Sequence, residues 1–232
     1  METPRYNIYQ FIHKALRALM NDVLVKVGRT DGGDDEAVHQ TLNNCDDLLD
    51  ICRSHLHHEN EFIHSAMLAH LPKANIKTVH DHVEHEHHIA NLQAEVDKIR
   101  NLPSLRRQQA LLSLYRNLAL FIADNFQHMQ TEETENCAFL WEFYSDEQIM
   151  QIEFAIVSSL SPQENAKIAY WMLPNLNHSE RLGVVSGMQA GMPPEAFSGI
   201  LQMLSNELSS ADWQKLCHGL DIDPSSVSSV AA

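Results

Sequence analysis

The chain has 232 residues, of which 44% are hydrophobic and 20% are charged, a composition typical of a soluble globular protein with a sizeable core. Its formal net charge of −15 disfavours nucleic acid and anionic membrane surfaces as partners, since both attract clustered Lys and Arg. Only 8 Gly and 8 Pro occur over the whole length. That leaves few turns and favours an all-α fold over a β-sandwich.

The four cysteines form no C-x-x-C pair. Cys45 and Cys52 lie on one predicted helix with a rise of about 10 Å between them, which is too far for a disulfide. The chain shows neither a secretory signal pattern nor an apolar run of membrane-spanning length. We therefore expect reduced thiols and a cytoplasmic protein without a membrane anchor.

Apolar residues at helical spacing predict four long helices in the first part of the chain. Breaks at Gly28–Asp35, Leu71–Pro72 and Leu102–Pro103 separate them, and Asp34 or Asp35 can cap the second helix. Long helices joined by short turns indicate an up-down-up-down four-helix bundle. The predicted helices are Tyr6 to about Lys26, Glu36 to about Leu71, Ile76 to Arg100, and Ser104 to Tyr144.

Beyond the fourth helix the pattern changes to shorter helices with frequent caps. Ser161–Glu164 has the sequence of a capping box, and Asn177–Glu180 repeats it more weakly. These helices offer a surface for a protein partner or a second copy of the chain. The predicted organisation is a bundle with a metal site over residues 1–145, a C-terminal helical extension over 146–222 and a flexible tail over 223–232.

Two of the four long helices carry a His and a Glu four residues apart. The pairs are His57-x-x-x-Glu61 and His128-x-x-x-Glu132. Residues at this spacing share one helix face, with their Cβ atoms about 5–6 Å apart. An imidazole and a carboxylate placed in this way can bind one metal ion or two adjacent ions.

The other two long helices supply single histidines. Helix one offers His13, and helix three offers a choice within the run from His80 to His88. Ile89 marks the inward face of helix three and His85 lies four residues before it, so His85 is the preferred ligand, followed by His88 and His82. Glutamates that bridge two ions suit iron or manganese, with zinc as a further option. The predicted ligands are His13, His57, Glu61, His85, His128 and Glu132.

Rival interpretations are weaker. The Glu-x-x-His pattern of ferritin-like proteins occurs at Glu61 and Glu84, but on consecutive helices and without an inward Glu on helix one. The remaining histidines of the His80–His88 run are typical of a solvated face or a loose surface site for zinc or nickel. H-E-x-x-H, G-x-S-x-G and a Gly-rich phosphate loop are all absent. A bridging oxygen can accept a hydrogen bond from Tyr6, Tyr9 or Tyr115, although core filling is the simpler role for these rings. Arg17 is expected to pair with a carboxylate.

The order of these motifs resembles the hemerythrin-like domain, also called the HHE cation-binding domain. The resemblance covers about residues 5–150 and implies a non-haem di-iron site with an oxo or hydroxo bridge, which meets O₂, NO or peroxide. The matching stretches are Ile12 to Arg17, His57 to Glu61, Glu84-His85, and His128 to Glu133.

The chain departs from oxygen-carrying hemerythrins in two places. Those proteins have two His four residues apart on helix three, where Asp81 precedes His85 here, and a His-x-x-x-x-Asp on helix four, where this chain has Glu132 and Glu133. Fewer imidazoles favour sensing or redox chemistry over reversible O₂ transport. Whether Asp81, His82, His88 or Glu133 also binds metal stays open.

The resulting hypothesis is a non-haem di-iron protein that binds or senses O₂, NO or peroxide. One alternative is a di-iron enzyme that reduces peroxide or NO, or that delivers iron for the repair of iron–sulfur clusters. A second alternative is a metal-poor helical interaction module.

Overall fold

The structure, a computed structural model, describes residues 5–70 and 77–227. All regular secondary structure in these two ranges is helical, and neither range contains a strand. The predicted turn at Leu71–Pro72 and the last part of the predicted tail, residues 228–232, lie outside the described residues. None of the described helices combines the length and the apolar character needed to cross a bilayer.

Two long helical rods of the first part of the chain each contain a π-helix. The π-helix Glu59–His64 joins α2 to α3, and the π-helix Glu132–Asn136 joins α5 to α6. Sequence patterns predict the length of both rods but not the π-helices within them. The α-helices are α1 Gln10–Arg29, α2 Asp35–His58, α3 Ser65–His70, α4 Lys77–Arg100, α5 Ser104–Thr131 and α6 Cys137–Phe143.

The four long α-helices pack around a shared apolar core. α1 contacts α2 and α5, and α4 contacts the same two helices. The apolar positions seen in the sequence face inward, and burial of each large aliphatic side chain stabilises the fold by about 1.5–3 kcal/mol. Core residues at most 2% exposed include Leu19, Val23, Leu48, Leu49, Val96, Leu114 and Leu118.

A second apolar cluster lies where the two rods continue past their π-helices. Tyr9, just before α1, belongs to it together with Ile63 from the first π-helix. The cluster holds α3 and α6 against the start of α1, and so fixes the ends of both π-helices. Its buried members are Ile8, Tyr9, Ile63, Met67, Cys137, Leu140 and Ile149. Cys137, like the other three cysteines, is a buried free thiol.

Shorter helices follow, and their starts agree with the sequence. Ser161 and Glu164 form the predicted capping box, in which each side chain accepts a hydrogen bond from the backbone N–H of the other residue. Asn177 and Glu180 form the second box. The helices are α7 Asp146–Ser159, α8 Pro162–Met172, α9 His178–Gly191, α10 Pro194–Glu207 and α11 Ser210–Gly219, with 3₁₀ turns at Leu173–Asn175 and Pro224–Ser226.

The chain divides into two compact units, the first ending at Asn165 and the second beginning at Ala166. Within the second unit, the buried Arg181 guanidinium donates to the backbone carbonyls of Leu173 and Leu176. The predicted boundary near residue 145 falls inside the first unit, and the domain assignment stays a prediction. The second unit has its own core, which includes Leu173, Val185, Leu204, Leu216 and Cys217.

Candidate metal centre

Six imidazole and carboxylate side chains converge inside the first unit. They form two groups that share both glutamates, and the ligand atoms of each group lie within 4.8 Å of one another. We call His13, His55, Glu59 and Glu132 site A, and Glu59, His82, His128 and Glu132 site B. The His55 side chain is 14% exposed, whereas each of the other five residues is at most 5% exposed.

Site A brings two imidazoles to one oxygen of each glutamate. His13 Nε2 lies 3.7 Å from Glu59 Oε1 and 3.5 Å from Glu132 Oε2. His55 Nε2 lies 3.1 Å from the same Glu59 oxygen. Two ligand atoms bound to one tetrahedral ion at about 2.1 Å are separated by about 3.4 Å, so these distances suit a first-row metal ion.

Site B uses the other oxygen of each glutamate. His82 Nε2 lies 3.5 Å from Glu59 Oε2 and 3.6 Å from Glu132 Oε1. His128 Nε2 lies 3.2 Å from Glu132 Oε1 and 3.0 Å from His82 Nε2. Glu59 and Glu132 therefore each present one oxygen to site A and one to site B, which is the arrangement of a carboxylate that bridges two ions.

Most of the polar atoms that face sites A and B lack hydrogen-bond partners; the exceptions are Nε2 of His82 and of His128, which lie 3.0 Å apart. All four carboxylate oxygens of Glu59 and Glu132, together with Nε2 of His13 and of His55, are buried without a partner. Such atoms are uncommon in protein interiors because losing water without gaining a partner is costly. A cation in each site would satisfy them, so the residues present fit a pair of divalent metal ions.

Carboxylates behind two of the histidines orient their rings. His13 Nδ1 donates to Glu133 Oε1 at 2.9 Å, and Arg17 donates to the same oxygen at 2.6 Å. The predicted pairing of Arg17 with a carboxylate is thereby confirmed. His128 Nδ1 lies 3.4 Å from Asp81 Oδ2. A hydrogen atom on Nδ1 leaves the Nε2 lone pair free for metal, an arrangement typical of metal-binding histidines.

The ring of His82 is oriented by an amide oxygen rather than by a carboxylate. Asn60, on the first π-helix, accepts through Oδ1 from His82 Nδ1 at 2.8 Å and from His64 Nδ1 at 3.0 Å. His64 Nε2 lies 3.1 Å from the hydroxyl of Thr78. Burial, reinforced by neighbouring His82, lowers the pKa of His64 to about 4, so His64 is neutral near pH 7.

The buried carboxylates and imidazoles of the centre shift each other's pKa values. Burial opposes ionisation of Glu59, but His55 and His13 hold the pKa of this carboxyl well below its usual range. Burial and the charge of Glu59 likewise oppose ionisation of Glu132, but the nearby imidazoles of His128 and His82 lower the pKa of this carboxyl. Burial likewise disfavours protonated His128, yet Glu132 raises the pKa of this imidazole to about 9. Metal binding would displace such protons, because the ligating imidazoles must be neutral.

Three of the six predicted ligands, His13, His128 and Glu132, meet in this centre. The structure does not bring His57 and Glu61 to it. Their side chains are 69% and 56% exposed, and they pair with each other on the surface at 3.2 Å.

His85 is buried, but it belongs to neither group of ligand atoms. Its Nε2 lies 2.9 Å from Asp124 Oδ2. The ring of His85 meets that of His128 edge to face, with centroids 4.7 Å apart, so His85 is a neighbour of site B.

The sequence prediction missed His55 and Glu59 and ranked His82 behind His85. The signal for the first two was present, because they follow the buried Cys52 by three and seven residues and so share its face. His82 lies seven residues before buried Ile89, also on the inward face. Applying the apolar spacing of helix two, as was done for helix three, would have identified His55 and Glu59 as inward-facing residues.

Comparison of the chain with protein-family models, with curated proteins and with solved structures gave no match. The resemblance to the hemerythrin-like domain therefore depends on the ligand pattern alone. In helix two the converging residues, His55 and Glu59, lie two positions before the pair that carries the resemblance in the sequence.

Proposed function

We propose that the first unit is a hemerythrin-like four-helix bundle of up-down-up-down topology that holds two non-haem iron ions in sites A and B. In this proposal Glu59 and Glu132 bridge the ions, and the protein binds or senses O₂, NO or peroxide. The observation that supports it is the convergence of six ligands whose carboxylate oxygens have no hydrogen-bond partner.

Iron suits this ligand set better than zinc. Two imidazoles and carboxylate oxygens at each ion are typical of non-haem iron, whereas structural zinc sites are dominated by cysteine, and neither site contains one. Each site supplies four protein ligand atoms, which leaves positions free on an ion that takes five or six. Bound iron would supply redox chemistry and the attachment point for a small ligand.

The role of the protein is to hold the ligands and to restrict access. The hydrogen bonds that the imidazoles donate to Glu133, Asn60 and Asp81 fix the orientation of the rings before an ion arrives. Five of the six ligands are at most 5% exposed, so only a small molecule can reach the ions without opening the fold. Diatomic gases and peroxide satisfy this limit.

Anaerobic loading of untagged protein with Fe(II) tests the proposal, with Mn(II) and Zn(II) loaded in parallel. We expect two tightly held iron ions per chain, a near-UV charge-transfer band after exposure to air, and spectral changes on adding NO or peroxide. Iron retention below a single ion per chain would contradict the di-iron proposal. Multiple turnovers of peroxide or NO in a stopped-flow assay would instead identify the enzymatic alternative.

A further inference from the structure

A chain of buried hydrogen bonds starts at the site B ligand His82. If His82 binds metal through Nε2, its hydrogen atom is on Nδ1 and is donated to Asn60 Oδ1 at 2.8 Å. The Asn60 oxygen is then the acceptor for His64 Nδ1 as well, at 3.0 Å. Metal binding by His82 therefore fixes the orientation of the Asn60 amide and the tautomer of His64.

The chain of hydrogen bonds continues from His64 towards α1, and its next two donors point back towards His64. The Nδ1 hydrogen atom of His64 is donated to Asn60, so in the neutral ring Nε2 accepts from the Thr78 hydroxyl at 3.1 Å. Thr78 Oγ1 then accepts from Asn136 Nδ2 at 3.1 Å, and the same amide nitrogen donates to the Tyr9 hydroxyl oxygen at 3.3 Å. His64, Thr78 and Asn136 are all at most 4% exposed, so water does not interrupt the chain.

This directional chain leaves the hydroxyl hydrogen of Tyr9 without an acceptor. Tyr9 is fully buried, and the one hydrogen bond made by its hydroxyl among the described residues is the one it accepts from Asn136. The oxygens of Glu59 and Glu132 do not accept this hydrogen either, since they have no hydrogen-bond partner. A buried donor that lacks an acceptor is costly and therefore calls for one.

The ring that carries the unused donor lies beside the metal centre. The ring of Tyr9 stacks on that of the site A ligand His13, with centroids 5.2 Å apart. A tyrosine hydroxyl ordinarily ionises only at about pH 10, so the phenol keeps its hydrogen atom at neutral pH. The backbone N–H of Tyr9 also donates to the Asn7 side chain at 3.0 Å, which helps to fix its position.

We propose that Tyr9 donates a hydrogen bond to a small anionic ligand bound at the metal centre and thereby determines ligand preference. The chemical class is a small anion with lone pairs directed at the hydroxyl, such as the hydroperoxide anion or azide, in preference to NO, a poor hydrogen-bond acceptor. This inference rests on the proposed di-iron function. The hydrogen bond from Asn136 explains why Tyr9 acts as a donor, because it occupies a lone pair of the Tyr9 oxygen and leaves the hydroxyl hydrogen atom for the bound anion.

The Tyr9→Phe variant keeps the ring and its stacking on His13 and removes only the hydroxyl. Azide titration of the iron-loaded oxidised protein, followed by absorption, gives the affinity for an anion; NO titration of the reduced protein gives that for a poor acceptor. We expect azide to bind about tenfold more weakly to the variant, at unchanged iron content and unchanged NO affinity. The control is Tyr6→Phe, since the Tyr6 hydroxyl already donates to Glu153 and its ring packs on the same apolar cluster.

Unchanged azide affinity in Tyr9→Phe at full iron content would overturn the role of Tyr9 and leave the di-iron proposal intact. An equal loss of azide and NO affinity, or loss of iron from the variant, would also overturn it, since Tyr9 would then support the protein ligands rather than the bound anion. Failure of the wild-type protein to hold iron is a different result, which removes the proposed function and this inference together.

Discussion

Sites A and B offer the same kinds of ligand, two imidazoles and two carboxylate oxygens each, but the protein holds their imidazoles differently. In site B, Nδ1 of both histidines faces an oxygen, from Asn60 behind His82 and from Asp81 behind His128. Both rings are also buried, so their orientation is fixed before an ion arrives.

Site A is less constrained. His13 donates to Glu133, but within the described residues no hydrogen bond engages Nδ1 of His55, and this side chain is 14% exposed. Outer hydrogen bonds orient metal ligands and raise affinity. Equal ligand sets therefore need not give equal sites, and we expect site B to hold its ion more tightly than site A.

The largest effect is expected when both shared residues are removed. The double variant Glu59→Ala, Glu132→Ala deletes the carboxylates common to sites A and B, and should lose both ions in an iron-content assay. The matched control is Glu61→Ala, which removes an exposed carboxylate of the same helical rod and should keep both ions. Full iron content in the double variant would show that metal binds elsewhere.

Removal of one imidazole should distinguish the two sites. His82→Ala takes away an oriented ligand and should empty site B, while His55→Ala removes the less constrained ligand and should weaken site A and leave site B occupied. Competition titration with a calibrated chelator measures both affinities, and His57→Ala provides an exposed control. Equal losses in the His82 and His55 variants would contradict the ranking of the sites.

A smaller effect should follow from removing an outer hydrogen bond. Asn60→Leu keeps the side-chain volume but leaves His82 Nδ1 without its acceptor, and should weaken metal binding at site B by about 10–100-fold. Asn43→Leu, which alters an exposed Asn of α2 paired with His39, is the control and should bind metal like the wild type. Unaltered affinity in the Asn60 variant would remove the basis for the difference between the sites.

The smallest expected effect is kinetic. Because the partly exposed His55 belongs to site A, a chelator such as EDTA should extract iron in two phases, the faster one from site A. The time course of iron release measures this, and His55→Ala should accelerate only the fast phase. A single phase that releases both ions together would mean that the shared glutamates couple the sites too strongly for separate exchange.

Helix positions follow from sequence more directly than ligand choice. Apolar spacing and the Pro103 stop predict an uninterrupted rod from Ser104 to Tyr144. In the structure the rod begins at Ser104 and ends at Phe143, one residue earlier than predicted. The His-x-x-x-Glu spacing cannot by itself separate the pair beginning at His55 from that beginning at His57, since both fit one helical turn. The buried neighbours decide, because burial follows the core face of the helix.

On helix three, spacing places both His82 and His85 on the inward face, and both are buried. The choice between them depends on Asp124, which lies on α5 and holds Nε2 of His85. A contact between residues so far apart in the chain has no signature in local sequence. The same is true of the hydrogen-bond chain from Asn60 to Tyr9, whose members come from the two π-helices, from α4 and from the turn before α1.

The two π-helices begin at Glu59 and Glu132, and this placement has a consequence for insertions and deletions. A π-turn holds one more residue than an α-turn, so deleting a residue just after either glutamate would restore an ordinary helix. That change of helix type would absorb the lost residue, so α3 or α6 would keep its orientation, whereas the same deletion inside an α-helix would rotate everything downstream by about 100°. Related chains should therefore accept the loss of one residue in these two segments more readily than in the middle of α2 or α5.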